Sequence, residues 1–360
     1  MALPIEATFL IDLMALFAIF AIISLSLNIE FGYTGIPNFG KLLAVAGGAF
    51  FVGAVPGRIL AYLFGVIDNL NYVKDNPKIM AMVNTILAKN PAASMLLLIA
   101  SLILAAVVGA ILGFIASYPA IRLREDYLAM TLLAMGEIIR TIGYNYEDLV
   151  GGTLGISVPD PFKWIGGDLR YLLAMTSIVV VAALILLYVE TLARSPLGRT
   201  LKAVRDDEMA AAALGKDVVK LRMKALIIGS AIAAVGGALY AFLAGSVTAL
   251  AYNRVTHTFW PWVMVIMGGA ANNLGVLLGA AIFVSLRKVI IFYKSDFQPY
   301  IPFDVVWLEL LLLGVALIIV LIYRPEGIIP EKPQYPLDRE TLERIRAKVK
   351  EEMIRESPEE

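Results

Sequence analysis

The chain contains no cysteine and a single histidine, His257, in 360 residues. The first absence removes disulfides, thiol nucleophiles, iron–sulfur clusters and thiolate zinc sites together. The second excludes an all-histidine metal cage. Charge is scarce as well: 17% of residues are charged, against about 25% in ordinary globular proteins. Thirty basic and thirty acidic side chains cancel, so the basic excess of a nucleic-acid binder is missing. No glycine-rich run precedes a Lys-Ser or Lys-Thr pair, so there is no phosphate-binding loop of the Walker type.

What the chain does have is apolar surface, with 59% hydrophobic residues. That content belongs to a membrane protein. The charge is also uneven. Residues Glu331–Glu360 hold 16 charged side chains, seven basic and nine acidic, and the preceding 330 residues hold 44. The sequence therefore divides into a lipid-compatible body, 1–330, and a charged tail, 331–360.

A membrane helix needs about 20 mostly apolar residues. Phe9–Leu27, Leu42–Ile67, Ser94–Tyr118, Tyr171–Val189, Ala225–Ala251 and Val305–Tyr323 qualify. No basic region or cleavage site precedes Phe9, so the first run is read as a span and not a signal peptide. Tyr127–Ile142 is apolar but carries Glu137 and Arg140. Phe259–Met267 is too short to cross and is separated from Val276–Ile291 by a glycine- and asparagine-rich break. The fold class is thus an all-α polytopic membrane protein with about eight membrane segments, including a re-entrant or broken pair.

Basic residues in short loops set the orientation. The loop from Arg194 to Lys224 holds eight Lys and Arg, which places it in the cytoplasm with the charged tail. An even number of crossings between these points makes Phe259–Met267 and Val276–Ile291 a hairpin, and their apolar length favours re-entrance. With Arg122 and Arg124 cytoplasmic, Leu70–Ala93 becomes an external loop and the N-terminus lies outside. Within the basic loop, Ser195-Pro196 and Asp206-Asp207 are helix starts, and Gly215 is a stop after the strong helix formers Glu208–Leu214. This small-residue helix is either a surface connector or a docking element.

The run Arg199–Gly215 resembles the cytoplasmic loop of branched-chain amino acid ABC transporter permeases of the LivM type. Other stretches agree in order: Leu123-Arg124-Glu125-Asp126-Tyr127 with Gly136-Glu137-Ile138-Ile139-Arg140, then Gly151-Gly152-Thr153-Leu154-Gly155-Ile156. Gly236-Gly237-Ala238, Gly268-Gly269 with Gly275 and Gly279-Ala280, and Tyr323-Arg324-Pro325-Glu326-Gly327-Ile328 complete the set. The likeness covers roughly residues 10 to 330. It implies a prokaryotic cytoplasmic-membrane permease paired with a second, homologous permease subunit, two cytoplasmic ATPase subunits and an extracytoplasmic binding protein. Residues Arg205, Asp206, Glu208, Ala211, Ala212 and Gly215 would form the ATPase coupling helix. ATP and magnesium would sit on the partners, and this chain would bind no cofactor, hold no metal and carry no catalytic residue.

Irregular backbone at membrane depth must be buried in protein or line a cavity. Two stretches fit that description, Gly32–Lys41 and Gly268–Gly275, and each is either part of the substrate path or a surface loop. Asn38, Lys41, Gly268, Gly269, Asn272 and Asn273 are the path candidates there. Glu137 and Arg140, three apart on one helix face, either line the path or form a structural ion pair. Asp12 and Glu309 read as structural, and the aromatic run around His257 as interfacial anchors. The sequence departs from the family pattern at Lys41, Ala271 and Val276, where histidine, glycine and proline are usual. Urea- and amide-transporting permeases therefore stay open as an alternative. An ion-coupled secondary transporter is a further alternative, for which Glu137 is the only central carboxylate in sight. In the tail, Leu342, Ile345, Val349 and Met353 predict an amphipathic helix over Asp338–Arg355, docked or solvated.

Overall fold

The structure is a computed structural model that describes residues 4–66, 70–123, 125–294, 298, 305–331, 341, 343 and 344. Contacts divide the chain into two units, Met1–Pro330 and Glu331–Glu360. Arg124 and nearly all of the expected tail helix lie outside the described residues.

Helix α1 (Ile5–Leu27) runs on into a single π-turn, Asn28–Gly32, before an irregular stretch leads to α2 (Lys41–Ala54). Pro56 breaks the next apolar run and starts α3 (Pro56–Leu63). The expected external loop contains α4 (Asn76–Leu87), which buries Ile79, Met80, Val83 and Leu87. Then follow α5 (Pro91–Arg122), α6 (Glu125–Asn145), α7 (Glu147–Val150) and α8 (Asp168–Arg194). Two short helices, α9 (Pro196–Asp206) and α10 (Glu208–Ala213), lead into α11 (Val218–Ala244). Strand β1 (Ile156–Ser157) pairs antiparallel with β2 (Ser246–Val247). A second π-turn, Val255–Phe259, continues as α12 (Trp260–Gly268), and α13 (Asn273–Phe292) and α14 (Val305–Tyr323) complete the body.

Among the described residues six helical segments are long and apolar enough to cross a membrane: 6–32, 41–63, 91–120, 168–194, 218–244 and 273–292. The hairpin of α12 and α13 differs from the expected re-entrant pair. Its first arm is short, but α13 extends to 20 residues and qualifies as a full crossing. Asn272 explains the extension, because its side-chain oxygen caps the backbone N–H groups of Leu274 and Gly275 at 3.1 and 3.2 Å. Helix α11 instead stops short of the apolar run, at Gly245 with φ 68°.

Helices α2, α5 and α11 pack through small residues so closely that backbone meets backbone. A Cβ at Gly237 would lie 1.9 Å from the Val45 carbonyl, and one at Gly48 would lie 2.1 Å from that of Ala234. Such seams let membrane helices associate where no hydrophobic gain is available. The faces turned away from this core are apolar, as on α5 with Leu96, Ile99, Ile103, Val107, Ile111 and Phe114. At one end of the bundle Tyr171 donates to Asp12 at 2.6 Å and Lys288 reaches it at 3.4 Å, so Asp12 is structural as expected. The opposite end carries α9 and α10.

The break between α12 and α13 is filled from within. The N–H groups of Ile328 and Ile329 donate to the carbonyls of Met267 and Gly268, both at 3.0 Å, so the segment after α14 completes the free end of α12. Gly269 and Gly327 take positive φ, 117° and 85°, where the two segments touch. Ala271 also takes positive φ, 61°, the one non-glycine to do so among the described residues. Its N–H is held at 2.8 Å by the Asn28 side-chain oxygen. A left-handed alanine costs roughly 1–2 kcal/mol, partly offset by the freedom glycine has when unfolded. Ala271→Gly is therefore expected to raise stability by about 1 kcal/mol, read as a higher midpoint in thermal unfolding of the detergent-solubilised protein. A lower midpoint would refute strain at this position.

Candidate functional site

The irregular stretch after α1 packs inside the bundle, its first part beneath α9 and Glu30 against the middle of α11. Glu30, in its π-turn, faces Gly229, where a Cβ would sit 2.2 Å from the carboxylate. Gly229 lies eleven residues into α11, about 16 Å along it at 1.5 Å per residue, close to the middle of the helix. Thr34, Ile36 and Asn38 are buried, and the N–H groups of Gly35, Ile36 and Asn38 donate to the carbonyls of Phe31, Glu30 and Ile36 at 2.8, 2.8 and 2.9 Å.

Two polar networks meet on the stretch. In the first, Lys41 Nζ donates to Glu30 Oε2 at 2.8 Å, with both side chains at 0% exposure. Asn38 Nδ2 donates to the same oxygen at 2.8 Å. The π-turn places Glu30 here: one extra residue in the turn changes which face the carboxylate occupies, and π-bulges occur often at functional sites. Lys41 opens α2 and points back at it. In the second network Asn273 Oδ1 accepts from Asn28 Nδ2 at 3.0 Å and from the Tyr33 hydroxyl at 2.8 Å. Asn273 Nδ2 donates to Glu190 Oε2 at 2.7 Å, tying the hairpin break to the end of α8. Asn272 Nδ2 donates to the Pro330 carbonyl at 3.0 Å.

Of the path candidates, the structure thus brings Asn38 and Lys41 together on Glu30, and Asn273 onto Asn28. Gly268 and Gly269 serve close backbone packing, with a Cβ at Gly268 falling 2.1 Å from the Gly275 carbonyl. Glu137 stands apart on α6, with Arg140 at 2.7 Å and Arg254 at 3.8 Å. Glu30, Asn28, Tyr33 and Glu190 are absent from the sequence-based set. Glu30 corrects the expectation that Glu137 is the only central carboxylate. The signal was present, since Asn28 and Glu30 interrupt the end of an otherwise apolar run, but charge near a span end resembles an ordinary boundary.

A second correction concerns the aromatic run. His257 and Thr258 are fully buried, and Trp260 and Trp262 nearly so, which excludes interfacial anchoring. The π-turn carries the helix straight into α12 with Pro261 in its first turn, so these rings enter the core. Trp262 stacks on Phe39 with centroids 4.5 Å apart and donates to the Asn38 carbonyl at 3.2 Å. Among the anchors only Phe259 stays partly exposed.

The expected coupling residues sit as the start signals predict. Ser195 caps α9, Asp207 caps α10 and Gly215 takes φ 76°. Asp207 is the cap, and Asp206 pairs with Arg205 at 2.8 Å. Glu208 binds Arg222 at 2.8 Å, holding α10 against α11, while Ala211 is buried and Ala212 exposed. Two residues outside the expected set dominate the free surface: Met209 and Leu214 are 81% and 79% exposed. Arg205 turns inward instead, its Nη1 donating to the Gly32 carbonyl at 2.7 Å. One guanidinium therefore joins the α9–α10 unit to the π-turn that carries Glu30.

Removing one member of a buried ion pair leaves an uncompensated charge, at a cost of about 3–5 kcal/mol, whereas replacing both can be nearly neutral. Lys41→Met should destabilise the protein by roughly that amount, and the double variant Glu30→Gln, Lys41→Met should regain most of it in thermal unfolding. A double variant as unstable as the single one would show that the charges do not act as a pair.

The comparisons with known proteins agree with this architecture. Residues 9–321 match the family model described as branched-chain amino acid transport system / permease component. A relative from Methanocaldococcus jannaschii, described as a probable branched-chain amino acid transport permease protein LivM, is 40% identical over 319 residues. That match covers 88% of this chain and 92% of the relative. A high-affinity branched-chain amino acid transport system permease protein LivM from Salmonella typhimurium is 27% identical, covering 91% of this chain and 72% of the relative. No solved structure matches the chain. A multi-pass helical body, a packed hairpin break and a match across most of the chain converge on one assignment: the protein belongs to the family of branched-chain amino acid transport permeases of the LivM type.

Proposed function

We propose that this chain is the membrane subunit of an ATP-driven importer that carries branched-chain or related amino acids across a prokaryotic cytoplasmic membrane. Two ATPase subunits supply the energy and hold ATP and magnesium, a second homologous permease subunit completes the channel, and an extracytoplasmic receptor delivers the substrate. The end of the bundle bearing α9 and α10 faces the cytoplasm, as its eight basic residues indicate.

The observation that carries this reading is the construction of α9–α10. Its outward tip is apolar, with Met209 and Leu214 exposed beside Ala212. An exposed apolar tip on a short, capped, ion-paired helix suits insertion into a partner's groove. Its inward contact is Arg205 on the Gly32 carbonyl. A push on α10 therefore reaches the π-turn through a charge-assisted hydrogen bond, without passing through a flexible linker.

The departures from the family pattern do not favour a different substrate. Lys41 is sealed against Glu30, Val276 is fully buried and Ala271 belongs to the backbone of the break, so none faces open space. Amino acids are preferred to urea or short amides on that ground. For an ion-coupled transporter, Glu30 is a buried carboxylate, but Lys41 already occupies the place of a coupling cation.

The test uses the assembled transporter in proteoliposomes. Met209→Glu with Leu214→Glu should weaken ATPase docking by roughly thirty-fold, the loss of an anchor worth about 2 kcal/mol. Arg205→Ala should keep the ATPase bound yet lower leucine uptake per ATP hydrolysed about tenfold, as expected for a charged hydrogen bond of about 1.5 kcal/mol. Unchanged docking in the first variant, or unchanged coupling in the second, would overturn the assignment of α9–α10.

A further inference from the structure

Among the described residues, the outer face of α6 carries charge where α5 and α8 are apolar. Helix α6 packs its inner side on α2, with Gly136 against Leu42 and Gly143 against Phe50. Those contacts place Glu137 and Arg140 at the depth of Leu42–Phe50, inside the crossing segment 41–63. Yet the two side chains are 25% and 34% exposed, and Arg254, reaching in from the second π-turn's approach, is 54% exposed. Two guanidiniums share one carboxylate at 2.7 and 3.8 Å. The group carries a net positive charge. A charged side chain at the bilayer centre costs at least about 2.5–3.5 kcal/mol, and such residues face a bundle interior or a wet cavity. The exposed faces of α5 and α8 carry apolar side chains at similar depth, including Val107, Ile111, Val180 and Leu184. Beside the cluster, an open groove of about 240 Å3 is lined by Arg140, Thr141, Tyr144 and Leu250.

We propose that this face of α6 is one wall of the water-filled conduit, closed on its other side by the second permease subunit, and that Arg254, Arg140 and Glu137 read the two ends of the amino-acid substrate. The excess cation takes the carboxylate, shared between Arg254 and Arg140. Glu137 takes the ammonium as Arg254, its more distant partner, swings to the carboxylate. The occupant follows from the charges. Lipid chains cannot solvate them, while a second permease presenting polar side chains can enclose water and substrate against them. The inference rests on the importer reading above and adds to it the residues that select the substrate. The polar groups then divide in two, with the sealed Glu30–Lys41 pair holding the fold and the half-open cluster meeting the substrate.

The native absence of cysteine makes the test direct. Thr141→Cys and Leu184→Cys are each introduced into the chain, coexpressed with its second permease and ATPase subunits, and treated in membranes with a cationic methanethiosulfonate reagent. Thr141→Cys should react at least about tenfold faster than Leu184→Cys, since the thiolate is the nucleophile and needs water. Equal, slow labelling of both would overturn the wet wall. For selectivity, Arg254→Ala should raise the KM for leucine at least about tenfold, one charged contact, with kcat largely kept, and Arg254→Lys should recover part of it. A fall in folded transporter with unchanged KM would assign Arg254 a structural role and overturn the proposal. If the unmodified complex fails to transport leucine, the importer reading falls, while the labelling ratio still decides whether α6 borders water.

Discussion

The rest of the structure depends on a carboxylate and an ammonium that neither water nor lipid can reach. Ions at such depth are costly unless paired and hydrogen-bonded, so Glu30 obliges Lys41 and Asn38 to be where they are. That obligation sets the path of the backbone between the first two long helices. The π-turn turns the carboxylate inward, α2 must begin at Lys41, and α11 must offer a glycine at position 229 to make room. Irregular backbone inside the bundle then becomes tolerable, because Gly35, Ile36 and Asn38 donate to nearby carbonyls and Gly32 accepts from Arg205.

The hairpin break obeys the same constraint in another form. A helix end at membrane depth leaves carbonyls and N–H groups that must find partners. Asn272 caps α13, the segment after α14 completes α12, and Asn28 and Asn273 tie the two breaks to each other. The glycines and asparagines of both breaks are therefore spent on internal packing. On the α6 face, by contrast, the charged cluster of Glu137, Arg140 and Arg254 is only partly enclosed. Arg205 links the interior to the α9–α10 unit, so the buried π-turn and the exposed tip of α10 are joined through one hydrogen bond.

Much of this was legible in the sequence. Ser195, Asp207 and Gly215 announced α9 and α10 because capping chemistry is local and acts within three residues of chain. The glycine- and asparagine-rich stretch 268–275 marked the hairpin break for the same reason. The burial of Trp260, Trp262 and His257 was not legible, since an aromatic run beside a short apolar segment has the same composition whether it meets headgroups or a core. Glu30 was missed because its partner is eleven residues away, across a turn whose extra residue no periodicity reveals.

By itself, the sequence determined that this is a helical membrane protein with a charged tail, a basic loop holding one or two short helices, and no cysteine chemistry. Those properties follow from composition and from interactions between near neighbours, which the chain carries wherever it folds. Only the tertiary structure decided which polar residues are sealed and which remain open. That distinction depends on distances between helices far apart in the chain: Glu30 and Glu137 are both carboxylates on helical segments, but Glu30 is sealed between Lys41 and Gly229, while Glu137, beside Arg140 and Arg254, stays partly exposed.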